Sequence, residues 1–420
     1  MKFIHAADIH LDSPLKGLEQ YEGAPVDEIR GATRRALEKL VDLAMDENVD
    51  FVLIAGDLYD GDWRDHNTGL FMVKQMSRLR EAGIPVFTIR GNHDAENRMT
   101  KSLRMPENVF SFSMSKPQTH TLDDLGVAIH GQSFATAAVT ENLAAAYPSG
   151  DKTLFNIGLL HTSLDGREGH ANYAPCSMDD LKSRGYQYWA LGHVHTREDT
   201  AQLDPPIIFP GNLQGRHIRE TGAKGCEIVE VDNAGNVSIE FRALDVMRWE
   251  HLRLDCAAAQ SPDDVLDLFS NQLQASLDAN EGLPLATRVT LTGATSTHAK
   301  LLANTQAMTN EFRAAAIDVS GGRTWIEQVK FRTTPSGSLN DLASDGPVAE
   351  LVQYLRELQT DREQLMELSE ELAPLLKKIP GELSQGDDPV SFDHWETLHD
   401  LIVEVEPMLV ERLLTQEAQS

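Results

Sequence analysis

The sequence predicts an α/β protein built on buried parallel strands, and three observations carry that prediction. Continuous apolar runs at Phe51-Val52-Leu53-Ile54-Ala55, Val86-Phe87-Thr88-Ile89 and 154–160 read as strands covered on both faces. Stripes of helical period alternate with them, at 27–47 and 68–82. Each run leads directly into a short polar motif containing Gly, Asp, Asn or His. Ligands of open α/β sheets gather beyond the carboxyl ends of the strands, so these motifs are expected on one rim.

Phe3 to Ala7 is the first expected strand, and it ends in Asp8-Ile9-His10. Extended backbone turns residues i and i+2 the same way, so Asp8 and His10 are expected to reach one cation together. The helix over 27–47 carries Ile29, Ala36, Leu37, Leu40, Val41, Leu43 and Ala44 on one stripe. The Phe51 strand then delivers Gly56-Asp57-Leu58-Tyr59-Asp60. The next helix, over 68–82, carries Leu70, Phe71, Val73, Met76 and Leu79; it packs on the sheet or forms a contact with a second copy. Gly91-Asn92-His93-Asp94 follows the Val86 strand. Residues 108–147 read as short strands in a mixed loop, with His120 and His130 structural or exposed. Two further strands end in His161 and in Gly192-His193-Val194-His195. Strands over 207–210, 226–231 and 237–244 complete this region, and the cationic loop 211–220 lies close to the motifs, so phosphate contact by Arg216, His217 or Arg219 is expected.

From about residue 248 the pattern changes. A strand at 251–255, a helix opened by Ser261-Pro262, a strand at 288–292, a helix at 305–315 and a strand at 325–332 read as a small separate α/β domain, 246–335. Pro335-Ser336-Gly337-Ser338 reads as a linker. Residues 341–420 are helical in pattern and hold 19 acidic against 5 basic residues, which argues against direct DNA contact there. Leu351, Leu358, Leu365 and Leu372 recur every seven residues beside Val348, Leu355, Leu368 and Leu375; a second stripe runs through Leu398, Leu401, Val405, Met408 and Leu413. Pro380-Gly381 and Asp387-Asp388-Pro389 separate the two. A helical hairpin and a docking surface for a partner helix both fit that pattern.

Composition narrows the function. With 41% hydrophobic residues the chain has material for a core. Its three cysteines form no CxxC pair, which points to a reducing compartment. The start, Met1-Lys2-Phe3-Ile4-His5, runs straight into a strand, and no apolar run reaches membrane-spanning length, so a cytoplasmic protein is expected. A net charge of −28 repels nucleic acid unless metal ions, a basic patch or a partner intervenes.

Carboxylates, an amide oxygen and imidazoles suit manganese, iron, zinc or nickel better than calcium or magnesium alone. Asp57 is the natural bridging carboxylate, with one oxygen for each of two cations. Two such ions clamp the attacking and leaving oxygens of a phosphoryl displacement. His93, one residue past Asn92, is expected to face substrate and to protonate the leaving alkoxide or stabilise transition-state charge. Either Asp60 or Asp94 would orient it.

The ordered set Asp8-x-His10, Gly56-Asp57-x-x-Asp60, Gly91-Asn92-His93-Asp94, His161 and Gly192-His193-x-His195 resembles the calcineurin-like metallophosphoesterase family over residues 1–245. That resemblance implies an αββα sandwich of two packed sheets. It implies one metal held by Asp8, His10, Asp57 and His195, a second held by Asp57, Asn92, His161 and His193, and His93 as the catalytic histidine. The opening stretch through Asp12-Ser13-Pro14-Leu15 and the loop Leu213-Gln214-Gly215-Arg216-His217-Ile218 are similar to the SbcD-type and YhaO-type DNA repair nucleases within that family. This branch implies a homodimer, manganese-dependent DNA cleavage, a capping domain over DNA and a tail docking an SMC-like, ABC-type ATPase. Asp60 departs from branch members that carry histidine there. The chain contains no GxxxxGK[ST] loop, so ATP hydrolysis falls to a partner. A phosphodiesterase for cyclic nucleotides or other small phosphoesters, and a DNA-tethering scaffold with a vestigial site, are the alternatives.

Overall fold

The computed structural model describes residues 1–13, 31–60, 66–96, 104–164, 173–198, 203–336 and 347–362, with 364, 365, 367, 398, 399, 402 and 405 beyond them. In chain order the first region runs β1 (Lys2–Ala6), α1 (Ala32–Asp46), β2 (Phe51–Ile54), α2 (His66–Glu81), β3 (Val86–Thr88), α3 (Asn92–Glu96), β4 (Val109–Ser111), β5 (Gln118–Leu122) and β6 (Val127–Gly131). It continues with β7 (Phe155–His161), α4 (Met178–Lys182), β8 (Tyr188–Gly192), β9 (Ile207–Ile208), β10 (Gly225–Val231) and β11 (Val237–Ala243). Two sheets result, of order β11-β10-β1-β2-β3-β4 and β5-β6-β7-β8-β9. β1, β2, β3 and β4 pair in parallel, as do β6 to β9. Strands β1 to β4 and β6 to β9 therefore each end on one rim, while β10 and β5 run antiparallel to their neighbours.

The sheets meet through one apolar layer. Phe3, Phe51, Phe87 and Val229 of the first pack with Ile129, Ile157, Leu159 and Tyr188 of the second. On the outer face of the first sheet, α1 buries Ala36, Leu37, Leu40, Val41 and Ala44, and α2 buries Met72, Met76 and Leu79. Trp189, Leu191, Leu160 and Leu181 fill the outer face of the second. Helix, sheet, sheet, helix is the expected αββα sandwich. Burying one apolar side chain contributes about 1.5–3 kcal/mol, so these layers outweigh the strained backbone described below.

Two local features differ from the sequence reading. In α2 the packing face is Met72, Met76 and Leu79, while Leu70 turns outward and is 62% exposed. Asp8 and His10 do not lie on extended backbone: β1 ends at Ala6, and both residues are left-handed, with φ of 50° and 44°. His193, just past β8, has φ of 100°. The side chains converge because the chain coils beyond the strand end, not because strand residues alternate. Ile29 lies outside the described residues.

The later elements are β12 (Arg248–Asp255), α5 (Pro262–Ala279), β13 (Leu285–Thr292), β14 (Ala294–Thr295), α6 (His298–Ala303), α7 (Thr305–Ser320), β15 (Thr324–Phe331), β16 (Thr334–Pro335) and α8 (Pro347–Thr360). Ser261 caps α5, its Oγ accepting from the Asp264 N–H at 3.2 Å. β12, β13 and β15 form a three-stranded sheet in that order. Pro335 belongs to a short parallel ladder with Thr295, so the linker expected from Pro335 begins no earlier than Ser336. Gly337 and Ser338 lie outside the described residues.

The chain forms two compact units. One is Met1–Leu252 with Gln272–Arg288 and Arg313–Gln328; the other is Arg253–Asn271, Val289–Phe312 and Val329–Ser420, so the division falls inside β12, β13 and β15. Within the second unit Phe269 and Phe312 pack edge to face at 5.1 Å. There too Leu351, Leu355, Leu358 and Leu365 cluster with Leu398 and Ile402. The two leucine stripes thus meet each other, at least in these members. Leu368, Leu372, Leu375, Leu401, Met408, Leu413 and both separating Pro motifs lie outside the described residues, as does the Val348 side chain.

Among the described residues no helix is long and apolar enough to cross a membrane.

Candidate metal centre

The rim of both sheets brings Asp8, His10, Asp57, His161 and His195 into one buried cluster. Asp8, His10 and His195 offer ligand atoms within 4.8 Å of one another, and so do Asp8, Asp57 and His161. His10 Nε2 lies 3.2 Å from His195 Nε2. His195 Nε2 lies 3.9 Å from Asp8 Oδ1. Asp57 Oδ2 is 3.9 Å from His10 Nε2 and 3.5 Å from His161 Nε2. His161 Nε2 is also 3.0 Å from Asn92 Oδ1. The His193 ring packs 5.2 Å from His161 and 5.6 Å from Tyr173, and its backbone N–H donates to Asp8 Oδ2 at 2.9 Å.

The motif glycines make this density possible. A Cβ on Gly91 would sit 2.2 Å from Asp57 Oδ1, and one on Gly192 would sit 2.0 Å from the Ala55 carbonyl oxygen. Non-glycine left-handed residues, here Asp8, His10, Asp57 and His193, each cost about 1–3 kcal/mol, and such strain concentrates at functional sites.

The donor set fits divalent cations on its own chemistry. His161 Nδ1 donates to the Ala55 carbonyl at 2.9 Å, so in the neutral ring Nε2 carries a lone pair. Nε2 faces the Asn92 amide oxygen and the Asp57 carboxylate, two acceptors that call for a positive partner. Burial opposes a charged His161 ring, but Asp57 outweighs it and holds its pKa up to about 9, so a proton on Nε2 meets that need; a bound cation would take the place of that proton. Burial, with Arg216 nearby, pushes His10 down to about 3, so its imidazole is neutral and able to ligate.

Asp57 Oδ1 accepts the His93 backbone N–H at 3.0 Å, and Oδ2 faces both His10 and His161. Asp57 would hold bound cations chiefly through Oδ2. Burial opposes its charge, yet His161, His10 and His93 hold the carboxyl well below the usual range.

His93 stands at the edge of the cluster, half-buried, with Nδ1 3.1 Å from Asp60 Oδ1. Burial disfavours its charged form, but the hydrogen bond to Asp60 and the charge of Asp57 raise its pKa. Asp94 is occupied elsewhere: it accepts backbone N–H groups of Leu58, Tyr59 and Gly91 at 3.2, 3.0 and 3.2 Å. Asp60 is thus the partner of His93, and Asp94 clamps the two motif loops together. His10, Asp60 and His93 also approach ligand spacing. Asp60 already accepts from Ser13 Oγ at 2.7 Å as well as from His93, which describes a hydrogen-bonded hub rather than a third cation site.

The cationic loop is turned partly inward. Buried Glu220 accepts from His195 Nδ1 at 2.7 Å, from Asn212 Nδ2 at 2.7 Å and from the Arg216 backbone N–H at 2.7 Å. This carboxylate fixes the His195 tautomer, with Nε2 toward the cluster. His217 Nε2 is also 3.2 Å from Glu220, while Arg219 is exposed. Glu220 and Ser13 escape a sequence reading; the one signal for Glu220 is its place four residues after Arg216 in a polar loop. His120 packs on Phe112 at 5.0 Å, and His130 bonds Thr119 and Asn156, both away from the cluster.

A two-sheet α/β sandwich with a buried carboxylate–imidazole cluster on its parallel rim defines a metal-dependent phosphoesterase. The sequence profile of the calcineurin-like phosphoesterases matches residues 1–197, and that of the metallophosphoesterase YhaO middle domain matches 249–334. The chain is 40% identical over 297 residues to the uncharacterized metallophosphoesterase YhaO of Bacillus subtilis (strain 168), covering 70% of this chain and 72% of that protein. It belongs to the YhaO family of calcineurin-like metallophosphoesterases, and is a hydrolase acting on phosphoesters. It is 28% identical over 261 residues to the DNA double-strand break repair protein Mre11 of Sulfurisphaera tokodaii, covering 60% of this chain and 63% of that protein. The protein of the same description from Methanopyrus kandleri is 27% identical over 295 residues, covering 60% of this chain and 61% of its own length.

Proposed function

We infer that this chain is a metal-dependent DNA nuclease, the phosphodiester-cleaving subunit of a DNA repair complex with an SMC-like, ABC-type ATPase. The observation that carries the chemistry is the close approach of His161 Nε2 to Asn92 Oδ1 and Asp57 Oδ2 beside a His93 held by Asp60. Support for DNA as substrate comes from the relatives described as DNA double-strand break repair proteins.

Asp8, His10, Asp57 and His195 would hold one divalent ion; Asp57, Asn92, His161 and His193 would hold the other, with manganese suited to the mixed oxygen and nitrogen donors. When bound, such ions supply Lewis acidity to phosphoryl oxygens and acidify water near neutrality. The protein's own part begins with Asp57, whose Oδ2 faces both His10 and His161 and would be shared between the two ions. Glu220 fixes His195, and the Ala55 carbonyl fixes His161. His93, kept protonated by Asp60, delivers a proton from its ring to the departing oxygen. Arg219, exposed on the neighbouring loop, offers a phosphate contact.

We assign residues 1–245 to the catalytic domain, 246–335 to a cap and 341–420 to ATPase docking. The homodimer contact falls on the outer face of α2, where Leu70 is 62% exposed. A cytoplasmic location agrees with three buried cysteines that form no disulfide. The test is a substrate panel with manganese: linear and single-stranded DNA against bis-p-nitrophenyl phosphate and cyclic nucleotides. Cleavage of DNA is expected. Turnover of cyclic nucleotides alone would make this a small-molecule phosphodiesterase.

A further inference from the structure

Arg216 has the wrong surroundings for a phosphate ligand. Its side chain is 12% exposed, and both ends of its guanidinium are engaged with acids. Nη1 lies 3.5 Å from Asp60 Oδ1 and donates to Ser13 Oγ at 3.4 Å. Nη2 lies 3.5 Å from Glu220 Oε1. The same Nη2 is 3.3 Å from His195 Nδ1, but that nitrogen spends its hydrogen on Glu220 at 2.7 Å. The guanidinium therefore stands between two carboxylates that serve different histidines: Asp60 orients His93, and Glu220 orients His195.

We propose that Arg216 is a positioning residue, a guanidinium bridge that keeps the Asp60–His93 pair in register with the Glu220–His195 pair. The inference rests on the reading that His93 moves the proton and His195 holds a cation. A planar fork with donors on two edges can address both carboxylates from one fixed position; a lysine is a point charge and can satisfy one of them at a time. Without the bridge, Asp60 and Glu220 keep their other hydrogen bonds but lose the shared cation that ties them together. Each carboxylate is then held only from its own side, and the His93 and His195 rings lose their common register.

The experiment compares Arg216→Lys and Arg216→Gln with the wild-type chain, each first checked for a cooperative thermal transition. Affinity for manganese chloride is measured by calorimetry, and kcat and KM with bis-p-nitrophenyl phosphate. Substitutions in the shell around metal ligands cost about 10–100-fold in metal affinity or activity. The expected result for R216K is a loss of that size in manganese affinity and in kcat, with KM for the ester unmoved and no rescue by the retained charge. Should R216K lose its cooperative transition, R216Q gives the same comparison. Full kcat and manganese affinity in R216K, with raised KM and a shallower salt dependence on DNA, would overturn the proposal and make Arg216 a phosphate contact. Unchanged values in either folded variant would overturn it as well. The calorimetry is informative even if the wild type cleaves no DNA, so failure of the nuclease reading and failure of this one are separable.

Discussion

Gly192→Ala is the sharpest probe of how the centre is built. Its Cβ would lie 2.0 Å from the Ala55 carbonyl oxygen, 2.9 Å from the carbonyl carbon and 3.0 Å from His161 Nδ1. Real Cβ contacts do not fall under 3.0 Å, so the end of β8 must retreat from β2 by about 1 Å. Overpacking of this kind costs about 1–3 kcal/mol. The His161–Ala55 hydrogen bond, worth about 1 kcal/mol, is strained or lost with it. A total of roughly 2–4 kcal/mol lowers the melting temperature by about 5–15 °C in a domain of this size. The catalytic effect exceeds the structural one, because His193 follows directly and a 1 Å misplacement costs about 10²-fold in rate. The assay pairs thermal melting with manganese-supported hydrolysis of bis-p-nitrophenyl phosphate. A G192A chain that melts with the wild type and turns over at its rate would show that the glycine is not needed for close approach, and the packing argument would fail.

Other outcomes follow from the same geometry. H93A is expected to keep manganese affinity while losing about 10²–10⁴-fold in turnover; unaltered hydrolysis removes His93 from proton transfer. D94A leaves three buried N–H groups without their acceptor, so urea unfolding should show a loss of about 3 kcal/mol or more, with D94N milder because one acceptor oxygen remains. Treatment with EDTA should abolish hydrolysis and added manganese restore it; activity that survives chelation counts against a metal-dependent mechanism. Deleting 341–420 should end co-purification with the ATPase while sparing hydrolysis of the small ester. Retention of the ATPase by the shortened chain would move the dock elsewhere.

The sandwich and the rim were legible because both depend on patterns short in sequence: apolar runs that bury on two faces, and glycine-flanked polar motifs at their ends. Asp60 and Asp94 were not separable in sequence, since each closes one of the two motifs. Only the fold shows that Asp94 turns back to three backbone amides while Asp60 meets His93. Strand alternation was the wrong reason for the convergence of Asp8 with His10, because left-handed coiling leaves no mark in residue type when Asp and His replace Gly. Glu220 was invisible for a related reason: its meaning depends on His195, 25 residues earlier in the chain. The outward turn of Leu70 shows that an apolar stripe fixes the period of a helix but not which edge of the stripe meets the core.

The decisive measurement is anomalous diffraction at the manganese edge from crystals soaked in manganese chloride. Two peaks are expected, both touching Asp57 Oδ2, one flanked by Asp8, His10 and His195 and the other by Asn92, His161 and His193. A single peak, or density seated between Asp60 and His93 instead, would contradict a paired-ion centre bridged by Asp57.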